Sequence, residues 1–109
     1  HRCCRRQRQM CIRDSDIPII EYAKKYFEEG IYPSGSQRNF DTLKDSITFE
    51  NEDEALLLSD AQTSGGLLIA APKETNVDFS EIEKSHGVTI KEIGNITDRY
   101  NKKINIISN

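Results

Sequence analysis

Gly65-Gly66-Leu67-Leu68-Ile69-Ala70-Ala71-Pro72 constrains this chain more than any other stretch. Two glycines open it, five consecutive apolar residues follow, and a proline closes it. A continuous apolar run of that length between Gly and Pro reads as a strand covered on both faces. Such a strand needs sheet neighbours and a covering layer on each side, which commits the chain to mixed helix and sheet. Apolar residues are scarce, at 36% of 109. The core is then small, or part of the chain stands outside it.

The charges separate into two blocks. Residues 1–15 hold five arginines (Arg2, Arg5, Arg6, Arg8, Arg13) against Asp14 alone. The remaining 94 residues carry ten bases and seventeen acids, a net charge of −7. That body repels phosphate backbones and argues against general nucleic-acid binding. All three cysteines, Cys3, Cys4 and Cys11, lie in the basic head. The body therefore has no thiolate nucleophile, disulfide framework or cysteine metal site, and a reducing, cytoplasmic setting suits it. No run of 18 apolar residues exists to cross a membrane. The head has no apolar core of a secretory signal.

Residues 1–15 (HRCCRRQRQMCIRDS) show neither helical nor strand periodicity. Their cysteines are adjacent or seven apart, not at metal-knuckle spacing. A basic nucleic-acid arm is one reading. The reading preferred here is a non-native, adapter-derived segment, disordered and outside the fold, with the domain running over 16–109.

Within 16–109, Asp16-Ile17-Pro18 reads as a helix start. Ile19, Ala23 and Phe27 form its apolar stripe, and Gly30 its stop. Residues 31–39 (IYPSGSQRN) read as turn chemistry. A short helical turn is expected over 40–46 and a short strand over 47–49. Residues 51–54 read as an acidic surface loop, and 55–58 are too short to assign. The Leu67–Ala71 strand follows, then a helix over 79–85 with Ser80 as cap, Glu83 at the third position and Gly87 as stop. Strands at 88–93 and 104–107, joined by a turn over 98–103, close an α+β order with antiparallel pairing at the C-terminal end.

The chemistry concentrates in Thr63-Ser64-Gly65-Gly66. Successive backbone N–H groups beside two glycines make a nest for an anion such as phosphate, with two hydroxyls as further donors. The alternative is a tight turn whose glycines serve close packing. The loop precedes a strand rather than a helix and does not match the P-loop pattern. Asp60 could hold a metal ion or cap the turn, the commoner use of Asp. Glu50, Asp53 and Glu54 read as a solvated loop. His86 fits the C-terminal end of a helix, with no nucleophile evident beside it. Arg38 and Asn39 could contact an anion or tie down their loop. No complete catalytic set and no metal site emerge from the residues themselves.

Residues 57–70, Leu-Leu-Ser-Asp-Ala-Gln-Thr-Ser-Gly-Gly-Leu-Leu-Ile-Ala, closely resemble the D-P-Q-T-S-G-G-L-L segment of the selenophosphate synthetases (selenide, water dikinases). Residues 17–20 and Ala23, then residues 30–39 (GIYPSGSQRN), resemble that family's V-P-L-L…A…G-x-x-P-G-G-x-x-x-N. Ile93-Gly94-Asn95-Ile96 resembles its I-G-E-V. Ala61 stands where the family has Pro, and Ser34 where it has the first Gly of the P-G-G turn. The family's catalytic Cys or selenocysteine, its partner Lys, the metal-binding aspartates and the Gly-rich ATP segment have no counterpart here. None of Cys3, Cys4 or Cys11 has the family context, so no catalytic residue is carried over.

The resemblance implies the C-terminal part of an enzyme that makes selenophosphate from selenide and ATP with Mg²⁺, releasing AMP and phosphate. It implies an incomplete C-terminal domain of the aminoimidazole ribonucleotide synthetase-like fold, from a usually homodimeric parent. Selenide and ATP would be handled through the missing N-terminal domain, leaving this fragment inactive alone and without a tightly bound cofactor. Thr63, Ser64, Gly65 and Gly66 would lie nearest the active-site cleft. Two alternatives stand beside this reading: another ATP-dependent enzyme of the same superfamily, or a stand-alone, non-catalytic interaction module. A fragment would also expose apolar surface and be poorly soluble or oligomeric alone.

Overall fold

The structure, a computed structural model, describes residues 8–98 and 102–108. It is mixed α/β, built on a four-stranded sheet of order β2-β4-β1-β3. The strands are β1 (Arg8–Arg13), β2 (Ile47–Thr48), β3 (Gly94–Asp98) and β4 (Ile104–Ile107). The α-helices are α1 (Ala23–Glu28), α2 (Ser34–Leu43), α3 (Glu52–Leu58) and α4 (Phe79–His86).

The order of the sheet corrects the head of the chain. Arg8–Arg13, read from the sequence as part of a disordered segment, is an inner strand. It runs antiparallel to β3, with Met10 opposite Ile96, and parallel to β4, with Ile12 opposite Ile106. Its buried residues are Gln9 and Ile12. They lie three apart, so the alternation that marks a strand in sequence is missing. Asp14–Asp16 then makes a short 3₁₀ turn. Cys3 and Cys4 lie outside the described residues.

The C-terminal hairpin is corrected too. β3 and β4 do not pair with each other; β1 lies between them. The strand expected over 88–93 begins at Gly94 instead, and 104–107 is a strand as expected. Gly94 sits opposite Ile12, and a Cβ there would collide with the carbonyl of Cys11. The glycine is thus required by backbone approach, not by a turn.

The core gathers Phe40, Ile47, Ala55, Leu56 and Ile106, from α2, β2, α3 and β4. Phe27, Phe49, Leu58 and Ile104 pack around it, and Phe40 and Phe49 meet at 5.5 Å between ring centres. Burying this cluster drives α2 and α3, whose first turns the sequence reads as turn and surface loop, with a helical turn expected only from 40 and 55–58 left unassigned. α3 starts at Asn51, whose Oδ1 accepts from the N–H groups of Asp53 (3.0 Å) and Glu54 (3.3 Å). Glu52, Asp53 and Glu54 fill its first turn, where the helix dipole favours anions. The acidic "loop" is therefore a charged helix start.

α1 is shorter than expected. Residues 17–20 form no helix, and Ile20 is exposed. Gly30 does close that segment, at φ +79. In α4 the cap is Asp78, whose Oδ1 accepts from Glu81 N–H at 3.1 Å, rather than Ser80. Glu83 instead accepts from Ile90 N–H at 2.7 Å. Gly87 ends α4 in the left-handed region, as expected.

The largest departure is Leu67–Ala71. It forms no strand, and Leu67 is 92% exposed. A strand needs a ladder partner on at least one edge. None of β1 to β4 pairs with this segment.

Candidate functional site

The site begins at the first turn of α2. Residues 34–39 carry Ser, Gly and Asn, poor helix formers by intrinsic preference, which explains the turn expected there. Two features override that preference. Pro33 sits at the N-cap with φ −61 and ψ 137. Ser36 and Phe40, one helical turn apart, face inward and are 2% and 3% exposed. Burial of Phe40 anchors the helix, and that places Ser36 inside the protein.

A buried hydroxyl needs partners, and Ser36 finds them in the loop after α3. Its Oγ donates to Asp60 Oδ1 at 3.1 Å and accepts from Ala61 N–H at 3.4 Å. Asn39 Nδ2 donates to the carbonyl of Ser59 at 3.1 Å. One residue before Ser36, a Cβ on Gly35 would sit 2.7 Å from the Cβ of Ala61. The two strings that carry the family resemblance, residues 30–39 and 57–70, are thus in direct contact.

From Asp60 the contacts continue into the glycine loop. Gln62 Nε2 donates to Asp60 Oδ2 at 3.3 Å. The other end of that carboxamide, Oε1, lies 2.7 Å from where a Cβ of Gly65 would be. Gly66 has no such neighbour: nothing lies within 4 Å of its Cβ position. Thr63, Ser64, Gly65 and Gly66 are all exposed. This is backbone that a ligand can reach, framed by hydroxyls, which suits an anion. No helix follows to add a dipole, since the next one, α4, starts at Phe79. The Arg38 guanidinium lies 3.8 Å from the Gly35 Cβ position and brings positive charge to the α2 side of this contact.

The remaining candidates resolve as follows. Asp60 serves the loop through Ser36 and Gln62. Asn39 ties the loop down. His86 Nδ1 lies 2.8 Å from Ser85 Oγ and 3.2 Å from the carbonyl of Ile82, all within α4. Glu54 pairs with Lys24 at 3.2 Å, and this hydrogen bond and the carboxylate charge raise the Lys24 ammonium above its ordinary pKa. That pair borders an open depression of about 500 Å³ between α1 and α3, lined also by Phe27, Glu28, Tyr32 and Asp53. None of residues 62–66 reaches it. Among the described residues no three His, Cys, Asp or Glu side chains converge to hold a metal ion. Nor is any helix among them long and apolar enough to cross a membrane.

The residue that sequence reasoning passed over is Ser36. A serine in a Ser/Gly-rich string looks like turn chemistry. Only its spacing of four from Phe40 hinted at an inward position.

No family model matches the chain. It does match selenide, water dikinases. It is 34% identical over 91 residues to that of Pseudomonas aeruginosa, covering 84% of this chain and 26% of the relative. It is 35% identical over 95 residues to that of Yersinia pseudotuberculosis, covering 87% and 27%. The enzyme of Pseudomonas putida matches at 32% over 91 residues. The chain thus spans about a quarter of the length of these relatives. By sequence, it belongs to the selenide, water dikinase family.

Proposed function

We propose that this chain is the C-terminal part of a selenophosphate synthetase, an enzyme that makes selenophosphate from selenide and ATP with Mg²⁺ and releases AMP and phosphate. The observation that carries the reading is the match, at 34–35% identity over 84–87% of the chain, to proteins named for that reaction. The geometry supports it: the two motif strings pack together at Ser36, Asp60 and Ala61 and leave Gly66 open to a ligand.

In this reading Thr63, Ser64, Gly65 and Gly66 lie beside the phosphate-handling cleft of a cytoplasmic, homodimeric parent of aminoimidazole ribonucleotide synthetase-like fold. The residues at hand fit one phosphate group. They do not fit Mg²⁺, which needs converging carboxylates: Asp60 is engaged by Ser36 and Gln62, and among the described residues no three His, Cys, Asp or Glu side chains converge. ATP and Mg²⁺ are held by the rest of the parent, and the chain alone is inactive.

The test is a chimera in which residues 17–109 replace the matching quarter of the Pseudomonas aeruginosa relative. Phosphorus NMR would follow ATP, AMP and selenophosphate. Selenide-dependent AMP formation by the chimera, and none by the chain alone, is expected. A folded chimera without turnover, or turnover by the chain alone, would overturn the proposal.

A further inference from the structure

We propose that Ser36 is a positioning residue that sets the stance of the Gly65-Gly66 turn through Asp60 and Gln62. Ser36 is 2% exposed and belongs to the same buried face as Phe40, so its Oγ is fixed by the core. That oxygen holds Asp60 Oδ1 at 3.1 Å and the Ala61 N–H at 3.4 Å. Asp60 and Gln62 are exposed, and among the described residues the Asp60 carboxylate bonds only Ser36 and Gln62, while Asn39 holds the backbone one residue earlier. With one carboxylate oxygen fixed by Ser36, the other receives Gln62 Nε2 at 3.3 Å. The Gln62 carboxamide is thereby turned so that Oε1 covers Gly65, 2.7 Å from its Cβ position, while Gly66 stays uncovered. The order buried in α2 thus reaches four residues beyond Ala61, into a loop with no regular structure of its own. A bare turn would sample many conformations, and fixing it beforehand removes that entropy from a binding step.

This inference rests on the proposed function only for what the turn would hold. Backbone ¹⁵N relaxation on the full chain tests it without catalysis. In the unmodified chain, Ala61 and Gly65 are expected to show order parameters near 0.85, the value of rigid backbone, and Ser36→Ala should lower both below about 0.6. Gly87 and Gly94, at the C-cap of α4 and in β3, should keep theirs. Asp60→Ala breaks the bonds to Ser36 and Gln62 from the exposed side and leaves the Ala61 N–H bond, so Gly65 gives the same answer should Ser36→Ala fail to fold. Asp60→Asn retains an acceptor for Ser36 and should keep the turn ordered, with the Gln62 carboxamide flipped. Gln62→Ala should free Gly65 but leave Ala61 fixed. A turn already mobile in the unmodified chain, or one that stays rigid in Asp60→Ala, would overturn the proposal. So would loosening of Gly87 and Gly94 along with Gly65. Adding inorganic phosphate separates the two readings: loss of any phosphate response at Gly66 with the order parameters as expected counts against the proposed function alone.

Discussion

Residues 34–60 and residues 65–72 both carry motif strings, yet one holds buried anchors and the other lies open. Phe40, Ala55 and Leu56 sit in the core at 3%, 1% and 9% exposure, whereas Leu67, Leu68 and Ile69 are 92%, 62% and 62% exposed. Hydrophobicity runs the other way: the open segment is the most apolar stretch in the sequence. What separates them is partners. Phe40 has Ile47, Leu56 and Ile106 around it, and Leu67–Ala71 pairs with none of the four strands. An apolar run specifies burial only where the rest of the chain supplies something to bury it against.

The largest test of this contrast is Phe40→Ala. Emptying a nearly closed aromatic site should cost about 3–5 kcal/mol, read as a fall in the urea midpoint with an unchanged slope. A loss below about 1 kcal/mol would mean that Phe40 is no better packed than a surface residue.

Gly35→Ala probes the join between the two regions. Alanine favours a helix over glycine by about 1 kcal/mol, but its Cβ would press on that of Ala61 at 2.7 Å, and overpacking costs about 1–3 kcal/mol. The crowding should win, with a net loss of about 1 kcal/mol. A net gain would show that residues 60–62 can retreat from α2, and the contact through Ser36 would then be slack.

Asn51→Ala removes two hydrogen bonds from the first turn of α3 and should cost about 1 kcal/mol. The cap lies three residues before Glu54, whose partner is Lys24 on α1. A cost well above that figure would mean that the α1–α3 contact depends on how α3 starts.

Much of this was legible in the residues. Gly30 and Gly87 ended their segments as glycine does in the left-handed region. The strands at 47–48 and 104–107 and the helix at 79–86 stood where short-range pattern put them. What could not be read depended on contacts distant in sequence. α2 exists because Phe40 is buried in one cluster with Ile47 and Ile106, and this overrides the weak helical preference of Ser34, Gly35 and Ser36. β1 buries Gln9 and Ile12, three apart and so on opposite faces of the sheet, which leaves no alternation to read. At the site, Thr63–Gly66 stood out through composition. The contact that orients them did not, because a serine in a Ser/Gly-rich string reads as turn chemistry and only its spacing of four from Phe40 hints at burial. Asp60 invited thoughts of metal or cap, and Ser36 and Gln62 claim it instead.

The smallest expected effect is the sharpest probe of the open region. Leu68→Ser exchanges an apolar side chain that is 62% exposed, so the chain's own stability should change by no more than about 0.5 kcal/mol. The same substitution should lower self-association, since contiguous exposed apolar surface drives it, and sedimentation at rising concentration reads that directly. Placed in the chimera with the Pseudomonas aeruginosa relative, Leu68→Ser should instead cost stability on the scale of a buried leucine, about 2 kcal/mol or more. The two backgrounds turn the comparison into a measurement. A small loss in the chain and a large one in the chimera means that the parent supplies the cover that residues 65–72 lack here. A large loss in both would mean that Leu68 is already packed in the chain. A small loss in both would leave the most apolar segment of the sequence open even in the whole enzyme, and the reading of this chain as one quarter of a larger core would fail.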